Sequence, residues 1–134
     1  MELQVGVKIL LKNPEGKFLL IRRSAKKYPE VIHHWDIPGG RINLGATLMD
    51  NLAREVSEET GLALTTTPKI IGAQDILKAP EKHVVRITYV GEATGELQLS
   101  DEHEGFRWVS KEELLGFEHL DRYLKKLLDE GVIF

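Results

Sequence analysis

Three features of this 134-residue sequence predict an α/β fold, a mixed β-sheet with helices on its faces. Segments of period-two apolar alternation stand on either side of one well-punctuated helix. That helix opens on a capping residue and stops at a glycine. The resulting order, β-β-β-helix-β-β-β-helix, implies layers of both kinds packed on one another.

Leu3 to Lys12 alternates around Val5, Val7, Ile9 and Leu11, the pattern of a half-buried strand. Asn13-Pro14-Glu15-Gly16 reads as a hairpin turn, and Phe18 to Arg23 as its partner strand. Ser24 to Val31 is a polar loop, and His33 to Ile37 a short strand running into Pro38-Gly39-Gly40. Neighbours on a strand face opposite ways, so His33 and His34 are not expected to share a metal. Trp35 reads as a core or pocket-wall residue.

The helix is expected over Thr47 to Thr60, with Thr47 as cap, Asp50 as a short-armed capping-box partner and Gly61 as a left-handed stop. Leu48, Leu52, Val56, Met49 and Ala53 fall on one arc and are expected to face the core. Leu62 to Thr67 reads as a turn-rich connector. Lys69 to Lys78 and Lys82 to Ala93 read as two strands joined at Ala79-Pro80-Glu81, a hairpin of the kind that edges a nucleotide pocket. Leu97 and Leu99 continue an apolar alternation, and Phe106 to Val109 is a further strand. Ser110-Lys111-Glu112-Glu113 is a capping box, and Glu118 to Glu130 a last helix with Leu120, Tyr123, Leu124, Leu127 and Leu128 as its stripe.

Composition narrows the function. With 42% apolar and 29% charged residues the chain is an ordinary globular one. No membrane-length apolar run and no leader pattern is present, which leads to the expectation of one cytoplasmic domain over residues 1–134, away from membranes. The absence of cysteine excludes disulfides, thiolate zinc sites and cysteine nucleophiles. A net charge of −3 points away from a nucleic-acid polymer as partner but not from a single nucleotide.

The chemistry concentrates in Pro38 to Leu62. Glu55, Glu58 and Glu59 stand three and four positions apart, so like charges meet near the C-terminal end of a helix, where the dipole also opposes them. Arg54 can pair with Glu58 and relieves part of the repulsion. Such a face needs either open water or a cation, and hard oxygen donors suit Mg2+ or Mn2+. Gly39 and Gly40 let the backbone approach a ligand closely.

In this segment the sequence resembles the Nudix hydrolases, whose box is Gly, five residues, Glu, seven residues, then Arg-Glu-aliphatic-any-Glu-Glu-any-Gly-aliphatic. Gly40 fills the first position, and Arg54, Glu55, Val56, Glu58, Glu59, Gly61 and Leu62 fill the last block in register. The resemblance implies a Nudix-type α/β/α sandwich of the MutT-like branch. It implies Mg2+ or Mn2+ held by Gly39 (through its carbonyl), Glu55, Glu58, Glu59 and Glu102, with Glu104 the second choice for the last. Glu55, Glu58, Arg54 and Glu102 become the catalytic candidates, Arg54 as the residue that orients the carboxylates. Arg23, then Arg22, and Gly40 become the substrate-binding ones. His103 is a possible proton shuttle near neutral pH.

One position departs from the pattern. The box glutamate is Ala46 here, which implies an Arg54 short of one partner and a weaker or slower site, or a domain that senses nucleotides without cleaving them. The expected reaction is hydrolysis of a phosphoanhydride in a nucleoside diphosphate derivative. A (d)NTP or oxidised (d)NTP is the first choice, and ADP-ribose or a nucleotide sugar the alternative. The partner is thus a small nucleotide, and the assembly a monomer or homodimer. Substrate choice is expected in the loops near Arg22 to Val31 and Ala79 to His83.

Overall fold

The computed structural model describes residues 1–29 and 35–134; His33 and His34, and with them the start of the short strand expected there, lie outside the described residues. The strands are β1 (Glu2–Lys12), β2 (Phe18–Arg23), β3 (Trp35–Asp36), β4 (Gly39–Arg41), β5 (Ala63–Leu64), β6 (Lys69–Ala79), β7 (Lys82–Thr94) and β8 (His103–Val109). The helices are α1 (Leu48–Thr60), α2 (Lys111–Leu115) and α3 (Arg122–Asp129). All the strands join one mixed sheet, covered by α1 on one face and by α2 and α3 on the other, the α/β/α sandwich that the family resemblance implied.

At the centre, β1 and β7 run parallel in unbroken register from Glu2 opposite Lys82 to Lys12 opposite Glu92. Their side chains alternate between two cores. Val7, Ile9, Leu11 and Tyr89 pack with Leu19, Ile21, Leu52 and Val56 beneath α1. Leu10 packs with Leu20, Ile37, Val109, Leu114, Leu124 and Leu128 beneath α2 and α3. With both faces covered, the central strands carry near-continuous apolar runs.

β1 changes neighbours along its length. At Lys12 it pairs with β2, but at Gly6, Val7 and Lys8 it pairs with β4, which carries the Gly-Gly turn. That exchange opens the sheet, and the site lies there. Gly39 is fixed by it: φ is 145°, and a Cβ would lie 2.0 Å from the Val7 carbonyl oxygen.

The caps at Thr47, Gly61 and Ser110 follow the sequence. Thr47 accepts from the Asp50 N–H at 3.1 Å, Gly61 closes α1 at φ 71°, and the Ser110–Glu113 capping box is complete in both directions.

Other expectations need correction. On α1 the buried residues are Asn51, Leu52, Val56, Glu59 and Thr60, while Met49 and Ala53 are exposed. The stripe turns toward Gly39 and Arg41, where polar side chains are wanted. The connector after α1 contains β5, whose Ala63 and Leu64 pair with Thr94 and Ala93. Leu97 and Leu99 pack on the α1-side core from outside any strand, because Gln98 and Ser100 donate instead to the end of α1. The last helix starts at Arg122, not Glu118. His119 takes φ 58°, and Asp121 caps the helix by accepting from the Tyr123 and Leu124 N–H groups. Leu120, Leu124, Leu127 and Leu128 then go into the core.

Candidate active site

A cavity of about 700 Å³ opens where β1 exchanges β2 for β4. Glu55 and Glu59 of α1, Gly39 and Gly40 of β4, Lys8 of β1, Arg86 of β7 and Glu102 just before β8 all line it. Arg23 and Tyr28 contribute from the β2 side, and Asp121, Arg122 and Tyr123 from the start of α3.

The two helix acids sit tightly. A Cβ at Gly40 would lie 2.9 Å from Glu55 Oε2, so the bare backbone makes the room that this carboxylate occupies. Glu59 is only 7% exposed and accepts from the Gly39 N–H at 3.2 Å. Burial above all, together with the hydrogen-bonded Glu55 carboxylate, pushes its pKa up to about 8 despite the pull of Lys8 and of that N–H. At neutral pH Glu59 therefore favours its protonated form.

Glu58 faces another way. It is 59% exposed and accepts from Arg54 Nη1 at 2.9 Å. Arg54 Nη2 lies 2.9 Å from Glu55 Oε1 and donates to Asn51 Oδ1 at 3.1 Å. Arg54, short of the partner that Ala46 does not supply, is held by Glu55, Glu58 and Asn51. Among the described residues, no three acids or histidines converge on one point where an ion would sit. The box acids separate onto different partners: Glu58 onto Arg54, Glu55 onto Arg54 and Glu59, and Glu59 onto Gly39.

The donor chemistry still fits Mg2+ or Mn2+. Glu55 and Glu59 are adjacent, hard, partly desolvated oxygens held together by a proton that a dication would replace. Glu102 lines the same cavity. Glu58 would have to leave Arg54 to take part.

The second charged group in the cavity was not singled out from the sequence. Asp36 is 3% exposed; Lys8 Nζ lies 3.0 Å from it, Arg23 Nη2 and Arg86 Nη2 each 3.7 Å. Arg86 Nη2 also lies 2.9 Å from Asp121 Oδ2, yet neither it nor Nε makes a well-directed hydrogen bond. Tyr123 stacks over this guanidinium at 5.5 Å. The signal in the sequence was a lysine and an arginine interrupting the apolar runs of β1 and β7, which is visible only once both strands are known to be central.

Arg23 lines the cavity beside Tyr28, whereas Arg22 pairs with Glu104 at 3.4 Å and is not among the lining residues. His103 is corrected as a neutral-pH proton carrier: burial first, then Lys8 and Arg23, lower its pKa to about 4. Trp35 packs edge-on against Phe117 in the core. Of the hairpin expected to edge the pocket, Pro80 and Glu81 are not among the cavity's lining residues; β6 and β7 reach it through Ile76 and Val84.

An α/β/α sandwich with paired carboxyls beside a Gly-Gly turn offers a hard dication a place next to a polyanionic ligand. The NUDIX domain family model matches residues 2–129, and the chain belongs to the Nudix hydrolase family. The crystal structure of the MutT protein from Methanosarcina mazei Go1 superposes with a TM-score of 0.79 at 35% identity, covering 96% of this chain and 91% of that one. The asymmetrical bis(5'-nucleosyl)-tetraphosphatase of Mus musculus is 29% identical over 126 residues, 90% of this chain and 82% of that protein. The ADP-ribose pyrophosphatase of Methanocaldococcus jannaschii is 28% identical over 112 residues, 78% of this chain and 62% of that protein.

Proposed function

We propose that residues 1–134 form one hydrolase domain that cleaves a nucleoside triphosphate, ordinary or oxidised, to the monophosphate and pyrophosphate. The observation that carries this reading is the pairing of buried Glu59 with half-buried Glu55 beside Gly39 and Gly40, inside a cavity that also holds Lys8, Arg23, Arg86 and Arg122. Acids that repel one another suit a dication, and the cations around them suit a polyphosphate.

Mg2+ or Mn2+, when bound, supplies charge neutralisation and Lewis-acid polarisation. Glu55 and Glu59 would hold it, with Glu58, Glu102 and the Gly39 carbonyl as further oxygen donors. Glu102 or one of the helix acids accepts the proton of the attacking water. Arg54 orients Glu55 and Glu58 through the contacts described above. Lys8 and Arg23 bind phosphate oxygens, and Tyr28 and Tyr123 offer ring faces to a base.

The mouse relative favours a second reading, a dinucleoside polyphosphate, and the archaeal relative keeps ADP-ribose in the panel. The test is turnover of nucleoside triphosphates, dinucleoside polyphosphates, ADP-ribose and nucleotide sugars with Mg2+ or Mn2+. Triphosphates are expected to give the highest kcat/KM, and excess chelator to abolish it. Full turnover in chelator rejects the scheme. Nucleotides that raise the Tm without turnover mean a sensor instead.

A further inference from the structure

α1 spends one of its most deeply buried positions on a polar residue. Asn51 is 1% exposed, and its amide is used on both sides. Its Oδ1 accepts from the Asn43 N–H at 3.0 Å and from Arg54 Nη2 at 3.1 Å, while its Nδ2 donates to the Arg41 carbonyl at 3.3 Å. One side chain therefore joins the end of β4, the loop after it and the guanidinium of Arg54.

That guanidinium is the only group bonded at once to Glu55 and Glu58 among the ion pairs of the described residues. Held by those two carboxylates alone, Arg54 would be positioned by the very groups it has to position. Asn51 breaks the circle. It is fixed by backbone atoms on one side and fixes Arg54 on the other, and being neutral it adds no fourth negative charge to the cluster. Asparagine is a poor helix former, and a buried amide costs free energy unless it is satisfied, so nothing in helix stability alone favours it here. Ala46, in the turn that follows Arg41, offers Arg54 no oxygen of its own side chain.

We propose that Asn51 is the positioning residue of this site: through Arg54 it sets the directions of Glu55 and Glu58, in place of the acid missing at Ala46. The kinetic part of this inference rests on the proposed hydrolysis; the structural part does not.

A double-mutant cycle tests it. With Mg2+ and the best substrate of the panel, Asn51→Ala is expected to lower kcat roughly 10–100-fold, the range for residues that orient a metal's ligands, with little change in KM. In an Arg54→Ala background the same change is expected to cost almost nothing more, because its route to the carboxylates is gone. Asn51→Asp keeps the acceptor oxygen toward Arg54 and Asn43 but adds a fourth negative charge and turns an oxygen toward the Arg41 carbonyl, so it is expected to recover part of the loss and no more. Equal losses in both backgrounds, or no loss in the parent, overturn the inference.

The second measurement needs neither metal nor substrate. Nitrogen-15 spectra of the whole chain are expected to resolve the Arg54 Nη signals in the parent and in Asn51→Asp, and to show them averaged by rotation in Asn51→Ala. Unchanged Arg54 signals in Asn51→Ala overturn the inference even if no nucleotide is hydrolysed, and an inactive parent with the expected spectra refutes only the hydrolysis.

Discussion

Asp36 and Glu59 are both buried carboxyls on the wall of one cavity, and their environments drive them in opposite directions. Burial alone would raise both. At Asp36 it is outweighed by Lys8, Arg86, the Ile37 N–H and Arg23, and the pKa falls to about 2. At Glu59 burial outweighs the pull of Lys8 and of the Gly39 N–H, Glu55 adds to it, and the pKa rises to about 8. The first group is neutralised by the protein itself and serves the fold. The second is left short of positive charge, which is the condition of a group awaiting a cation from outside.

The hardest blow to this contrast comes from neutralising each carboxylate in turn. Glu59→Gln is expected to lower kcat by about 10²–10⁴-fold, the scale for losing a group that handles charge or a proton in the transition state, while the fold holds. Asp36→Asn is expected to act the other way round, costing about 3–5 kcal/mol in urea denaturation because Lys8 and Arg86 lose their buried counter-charge. A stable Asp36→Asn would remove the distinction.

Titration sharpens it. Asp36 ionises more readily folded than unfolded, so its contribution is complete above its ordinary 3.8 and is lost as pH falls toward about 2. Glu59 prefers its proton in the fold, so without added metal, stability is expected to decline as pH rises from its ordinary 4.5 to about 8. Scanning calorimetry across pH should show that decline in the parent and not in Glu59→Gln. Mg2+ added at neutral pH should release roughly one proton, read as a dependence of the binding heat on the buffer's ionisation enthalpy.

The smallest effect belongs outside the cavity. Arg22→Ala breaks only its half-exposed pair with Glu104 and is expected to shift stability by about 1 kcal/mol or less, leaving KM unchanged. Arg23→Ala, one residue along, should raise KM.

Part of the acid cluster was legible in the sequence because helical spacing alone brings Glu55 and Glu59 together and a glycine turn beside them leaves a mark in the chain, whereas the outward turn of Glu58 onto Arg54 is not written in that spacing. The other half of the site was not. Lys8, Asp36 and Arg86 come from three strands, and alternation does not say whether a charged strand residue meets water or a cavity until its neighbours are known. Asn51 was passed over for a related reason: apolar periodicity assigned the inner face to Met49 and Ala53, while three hydrogen bonds, not hydrophobicity, turned the amide inward. The late start of α3 also escaped, since Asp121 caps it from within an otherwise helical pattern.

The end of α1 is tied to the segment that leads to Glu102: the Gln98 N–H donates to the Thr60 carbonyl and the Ser100 N–H to the Glu59 carbonyl. Two acids far apart in the chain are therefore joined through backbone hydrogen bonds, and a ligand that holds both is expected to slow the opening of those bonds. Amide exchange at positions 98 and 100 becomes a gauge of occupancy that requires no label near the chemistry.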